Sequence, residues 1–132
     1  MRQALLMLVA GAALGCVRPQ PQQATAGSEL QLALGGAARV SGGPEVTFEA
    51  VVEDSRCPID AVCIQAGRAT VRLGISHPDG DRKIELSIPE GATADTVHGH
   101  VVRLLSLLPP PAAAAPTPPD SYRVALLIDS IP

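Results

Sequence analysis

Aromatic residues are nearly absent from this chain of 132 residues, which has no tryptophan, a single phenylalanine (Phe48) and a single tyrosine (Tyr122). Leucine, valine and isoleucine must therefore fill any core. Lysine occurs once, at Lys83, and no stretch is a basic run. Setting aside Arg2, which lies in the N-terminal segment discussed below, the count is 9 Lys+Arg against 13 Asp+Glu. The electrostatic footprint of a nucleic-acid binder is missing, and no nucleic acid is expected as a partner. There is also no apolar run of the roughly 20 residues that a membrane helix needs. Nor is there a Gly-x-Ser-x-Gly elbow, a His-Glu-x-x-His pair or a phosphate-binding glycine loop. The chain is not expected to be an enzyme, and no cofactor is implied.

What is present begins at the N-terminus. "MRQALLMLVAGAALGC" has a basic residue, an apolar run over residues 4–14, then small residues and a cysteine. That is the layout of a secretory signal. Ala13-Leu14-Gly15-Cys16 resembles the lipobox of bacterial lipoproteins, with Ala13 where the pattern prefers a branched aliphatic residue. The resemblance implies cleavage before Cys16, a diacylglyceryl group on its thiol and an acylated amine. Residues 1–15 are then the signal peptide, and the lipid bilayer is a partner through acylated Cys16. Two or more acyl chains anchor stably where one holds only reversibly. By the same resemblance, Val17 rather than aspartate after the cysteine points to the periplasmic face of the outer membrane in a Gram-negative host. The alternative is ordinary secretion with cleavage after Ala26, at the Ala-Thr-Ala site formed by residues 24–26.

Residues 16–28 continue as "CVRPQPQQATAGS", polar and without periodicity, and read as a flexible tether. From residue 29 the chain alternates apolar and polar residues with period two, the strand signature. Leu30, Leu32 and Leu34 form one such set. Val46, Phe48, Ala50 and Val52 are expected on one face of a second strand, opposite Thr47, Glu49 and Glu53. Ala69, Val71, Leu73 and Ile75 lead through the turn sequence "HPDG" to Ile84, Leu86 and Ile88, which predicts a hairpin. Residues 101–108 are more continuously apolar, as a central strand would be, and Tyr122, Val124, Leu126 and Ile128 close the series. Between the last two, residues 109–121 contain six prolines. Proline is excluded from sheet interiors, so this segment is a surface loop: a stiff connector, or alternatively a ligand for an aromatic-lined groove. The expected fold is all-β. It is a single antiparallel β-sandwich or partly open barrel of six to seven strands over residues 29–132, with one short-loop disulfide.

That disulfide is expected between Cys57 and Cys63, the two thiols left once Cys16 is lipidated in an exported chain. Closing so short a loop contributes roughly 2.4 kcal/mol in the chain-entropy model. A redox pair is normally Cys-x-x-Cys at a helix start, and a structural zinc site wants four ligands. The only residues available to complete such a site are His77, His98 and His100. His98 and His100 would share one face of an extended segment and are the weak candidates for a metal. Glu53, Asp54 and Asp60 cluster around the loop, more in the manner of solvated or capping groups than of an acid/base pair.

"DSRCPIDAVCIQAGRATVRL" resembles a motif of uncharacterised small exported proteins and lipoproteins of bacteria. The pattern runs Asp-Ser-Arg-Cys-Pro, four residues, Cys, two residues, Ala-Gly, then a strand. It is matched by Asp54, Ser55, Arg56, Cys57, Pro58, Cys63, Ala66 and Gly67. The similarity extends over residues 45–128, and the chain departs at Gln65, where tryptophan is common. The resemblance implies location and fold, and no activity. The expectation for function is a membrane-tethered binding or interaction module, with an envelope protein as partner. Its candidate contact loop contains Asp54, Arg56, Ile59, Asp60 and Ile64. In that loop Arg56 and Asp60 are expected to keep their charges in solvent, while Ile59 or Ile64 either contacts a partner or plugs the end of the sandwich. The alternatives are a periplasmic metal-handling or small-ligand protein using the histidines, and a purely structural envelope protein.

Overall fold

The computed structural model describes Gly11, Gly15, Cys16 and residues 18–132. The expected signal peptide, residues 1–15, lies outside the described residues except for Gly11 and Gly15. Cys16 is described, with an exposed free thiol. Among the described residues no helix is long and apolar enough to cross a membrane.

Nine strands build two sheets: β1 (Gln22–Ala24), β2 (Glu29–Ala33), β3 (Ala37–Val40), β4 (Glu45–Asp54), β5 (Ala69–Ser76), β6 (Arg82–Ile88), β7 (Ala94–Val97), β8 (His100–Leu108) and β9 (Arg123–Ser130). One sheet has the order β1-β3-β4-β5-β6, the other β2-β9-β8-β7. Every pairing is antiparallel except β1 with β3. The two sheets face each other across an apolar core that includes Leu32, Val46, Phe48, Leu73, Leu86, Val102 and Leu126, all fully buried. No polar or charged residue is buried among the described residues. The all-β sandwich is as the alternation predicts. Nine strands exceed the six to seven expected; the ones that no alternating set marked are β1, β3 and β7, of three or four residues each.

Part of the segment expected to be a flexible tether belongs to the domain instead. Gln22, Gln23 and Ala24 pair with Ala38, Arg39 and Val40. The Ser41 and Gly27 amides donate to Ala24 O and Ile128 O, at 2.9 and 2.8 Å. Ala24 and Ala26 also pack against the core. Backbone pairing, which the polar side chains do not advertise, recruits this segment into the domain.

Bulges correct the expected faces of β4 and set those of β8. In β4, Phe48 pairs with Leu73 and Ala50 with Arg72, so Glu49 is an extra residue; a second shift lies between Val51 and Glu53. Each extra residue moves the alternation by one. Val51 consequently packs on the core, while Val52, expected inside with Val46 and Phe48, is 45% exposed. In β8, Leu105 is the extra residue, between Leu104 paired with Leu126 and Ser106 paired with Ala125. The bulge turns both Leu104 and Leu107 inward and leaves Leu105 and Leu108 exposed. The continuous apolar run of β8 thus comes from a change of phase, although the strand does lie centrally in its sheet.

Candidate functional site

The strand directions place two loop clusters at opposite ends of the sandwich. At one end, residues 55–68 connect β4 to β5 and meet the C-terminal end of β8. At the other, the β5–β6 turn meets the β7–β8 turn.

The cysteine loop is held at three levels. At its neck the ladder of β4 and β5 continues: Ser55 N–H donates to Arg68 O at 2.8 Å, Arg68 N–H to Ser55 Oγ at 3.1 Å and Cys57 N–H to Ala66 O at 2.9 Å. Gly67 adopts φ +67°, and a Cβ there would collide with the Ser55 carbonyl oxygen, so the neck requires glycine. Above the neck, the Cys57–Cys63 disulfide joins Cα atoms 5.9 Å apart. Inside the closed loop, Ala61 N–H donates to Pro58 O at 3.1 Å to make a turn.

The third level ties the loop to the opposite sheet. Arg56 presents its guanidinium as a fork to Asp54, with Nε to Oδ1 at 2.7 Å and Nη2 to Oδ2 at 2.8 Å. The same group donates through Nη1 to Leu107 O at 2.6 Å and through Nη2 to Pro109 O at 3.0 Å. The Tyr122 hydroxyl donates to Asp54 Oδ2 at 2.9 Å. This clasp joins the end of β4, the loop, the end of β8 and the approach to β9. A planar guanidinium suits it because a single side chain can serve a carboxylate and two carbonyls at once. The side chains of Arg56 and Asp54 are 16% and 10% exposed, so the expectation that Arg56 stays in solvent is corrected: its charge is spent within the fold. Hydrogen bonding from Arg56 holds the Asp54 carboxyl below its ordinary range against the upward push of burial, with the Tyr122 hydroxyl and the charge of Arg56 adding to the lowering. Burial, then the bond to Asp54, pushes the Tyr122 phenol up.

Asp60 is likewise engaged. Its carboxylate accepts from the Ala113 amide at 2.6 Å and the Ala114 amide at 3.3 Å, and Ile59 N–H donates to Pro111 O at 3.0 Å. The Ala113 bond lowers the Asp60 pKa, opposed by desolvation. The proline-rich loop is therefore docked onto the cysteine loop. Glu53 pairs with Arg68 at 3.2 Å and accepts from the Ser55 hydroxyl at 3.1 Å. The three carboxylates are each held by different partners.

What the loop presents outward is apolar. Ile59 is 72% exposed, Val62 103% and Ile64 105%. Neither isoleucine plugs the sandwich, which corrects that alternative; the end is already closed by the clasp. Beside them lies an open polar cleft of about 610 Å³ lined by Glu53, Ser55, Gln65, Gly67, Arg68 and Glu90, among others.

At the far end, His98 and Gly99 form the two-residue turn between β7 and β8, both with positive φ, +47° and +73°. That is the signature of a type I′ hairpin turn. His98 stacks on His77 of the β5–β6 turn, with ring centroids 4.2 Å apart and planes 12° from parallel. His100 does not join them: its Nδ1 lies 2.9 Å from His98 O and its Nε2 edge faces Gly43. The expected pairing of His98 with His100 fails because His98 is in a left-handed turn and not on an extended face.

No protein-family model, curated protein or solved structure matches the chain.

Chemistry carried by its own residues therefore defines the two clusters. Of the residues singled out from sequence, Asp54, Arg56 and Asp60 hold the loop in place, and Ile59 and Ile64 stand free on it. Sequence reasoning missed Tyr122 as the third member of the clasp and Val62 as the third exposed apolar residue. Val62 carried a signal, since it completes an alternating set of β-branched residues with Ile64 in the same short loop. Tyr122 carried none, because nothing local connects it to residue 54.

Proposed function

We propose that this chain is a lipid-anchored protein of the bacterial cell envelope, tethered through acylated Cys16, and that it acts as a binding module. Its contact surface is the ridge formed by Ile59, Val62 and Ile64. The observation that carries this reading is the exposure of those three β-branched side chains on the most heavily constrained loop of the fold. Single exposed apolar residues are ordinary, but here three stand on one braced loop, Val62 and Ile64 fully open to solvent. The polar cleft beside it supplies the contrasting rim common at protein interfaces. Bracing by the disulfide, the Arg56 clasp and Asp60 means that little loop freedom remains to be lost on binding. The partner is an envelope protein with a complementary apolar recess, and the proline-rich loop serves as a connector and brace.

A photo-crosslinking residue at Val62 in intact cells tests the surface. A discrete protein adduct is expected, absent when Ile59 and Ile64 are both serine and absent when the label sits at Lys83 on β6. An identical adduct pattern from both label sites, or no adduct at Val62, favours a purely structural envelope role. In the same cells Cys16→Ser should release the protein from the membrane fraction. Retention at wild-type level refutes the lipid anchor.

A further inference from the structure

We propose that His77, Asp79 and His98 form a binding site for a borderline transition-metal dication of the Zn2+ class, at the end of the sandwich opposite the cysteine loop. The site stands independently of the proposed contact ridge. One donor atom from each residue falls within 4.8 Å of the other two, in the one such His/Cys/Asp/Glu cluster among the described residues. Two separate hairpin turns, far apart in sequence, converge to make it.

The hydrogen bond of His98 leaves that ring in the form a metal requires. His98 Nε2 lies 2.9 Å from Gly80 O. A carbonyl only accepts, so Nε2 carries the proton and Nδ1 keeps its lone pair. A ligating histidine commonly has this arrangement, with its other nitrogen donating to a backbone carbonyl that fixes ring and tautomer. His77 Nδ1 accepts from the Asp79 amide at 3.1 Å, so its lone pair lies on that nitrogen and a metal would take it over from the amide. Asp79 Oδ2 lies 3.4 Å from the same nitrogen. Two donors each about 2.0–2.1 Å from a tetrahedral ion are about 3.3 Å apart, so this pair already has chelating separation. The exposed Asp79 carboxylate adjusts most easily, and the third donor closes in as the two partly buried, stacked rings move apart.

The donor set decides the class of ion. Two imidazoles and one carboxylate suit zinc, copper or nickel, whereas magnesium and calcium prefer all-oxygen sites. Three protein ligands leave a fourth position for water or for a ligand from another molecule. Such a site exchanges its metal and suits a carrier or a bridging contact better than a structural staple.

Zn2+ titration by calorimetry, on the full chain carrying Cys16→Ser so that no free thiol competes, tests the site. One saturable equivalent with micromolar affinity is expected. His77→Gln and His98→Asn, the latter chosen because asparagine tolerates the left-handed turn, should each weaken it by about tenfold or more. His100→Gln should leave it unchanged. A second measurement does not depend on variants folding: Zn2+ should shift the imidazole NMR signals of His77 and His98 in the otherwise unchanged chain, and not those of His100. The proposal is overturned by absence of saturable binding below millimolar Zn2+, by affinity that survives both substitutions, or by signals that move at His100 instead.

Discussion

Replacing Arg56 by methionine keeps the aliphatic stem and removes only the guanidinium. Four hydrogen bonds go with it: two to Asp54, one to Leu107 O and one to Pro109 O. Bonds to charged groups contribute about 1.5–3 kcal/mol each, but water can reach part of this site and replaces some of them. Removing one partner of a fully buried pair costs about 3–5 kcal/mol, and an exposed pair is worth at most about 1 kcal/mol. With side chains 16% and 10% exposed, the expected loss is about 3 kcal/mol. At a urea m-value of about 2 kcal/mol/M, the unfolding midpoint should fall by about 1.5 M. Far-UV circular dichroism and tyrosine fluorescence follow the transition together, and Tyr122 is the only tyrosine in the chain, so the second probe reports from the clasp itself. Acid provides an independent arm. Asp54 titrates below its ordinary 3.8 in the folded state, chiefly through hydrogen bonding from Arg56. Its contribution is therefore complete above that value and is lost as pH falls through the depressed folded value. The stability gap between wild type and Arg56→Met should narrow steadily below about pH 4. A midpoint shift under about 0.5 M, or a gap indifferent to acid, would show that the clasp is a surface pair of little consequence.

Two further outcomes follow from the same loop. Cys57→Ala together with Cys63→Ala should lower stability by about 2 kcal/mol in urea titration while the sandwich persists, because the closed loop is short and the neck and clasp remain. Complete unfolding of that variant would mean that the bond is part of what defines the fold. Asp60→Asn should raise hydrogen exchange at the Ala113 and Ala114 amides with little change in the urea midpoint, since those amides are what its carboxylate holds. Unchanged protection there would assign the docking of the proline-rich loop to Ile59 and Pro111 alone.

Period-two alternation was a good guide wherever a strand ran unbroken. β5 and β6 carry their buried residues at the alternating positions, and β9 does so at Val124, Leu126 and Ile128 with the small Ala125 buried between them. It misled where one extra residue changed the phase at Glu49 in β4, and the bulge at Leu105 in β8 showed in sequence only as an unbroken apolar run. It was silent for β1 and β3, which owe their pairing to backbone groups and are too short for a pattern to repeat. The cysteine loop was legible as a covalent unit from cysteine count and context. The roles of its charged residues were not. A salt bridge two residues apart looks solvated in sequence, and only the arrival of Leu107, Pro109 and Tyr122 from more than fifty residues away encloses it. The histidine cluster was hidden for the same reason: His77 and His98 meet only because two hairpin turns lie side by side.

Pairing of Gln22–Ala24 into the first sheet limits how far the domain can stand from a membrane. Between Cys16 and Gln22 there are six Cα-to-Cα steps, which span about 20 Å even when fully extended. The ten-residue strand β4 is itself about 33 Å long. With Cys16 acylated as proposed, the leash is shorter than the body it holds. The domain would then lie against the headgroups, and its whole surface would stay within roughly 50 Å of them. Partners would be confined to the same membrane or to molecules that come close to it, and the search for them becomes nearly two-dimensional.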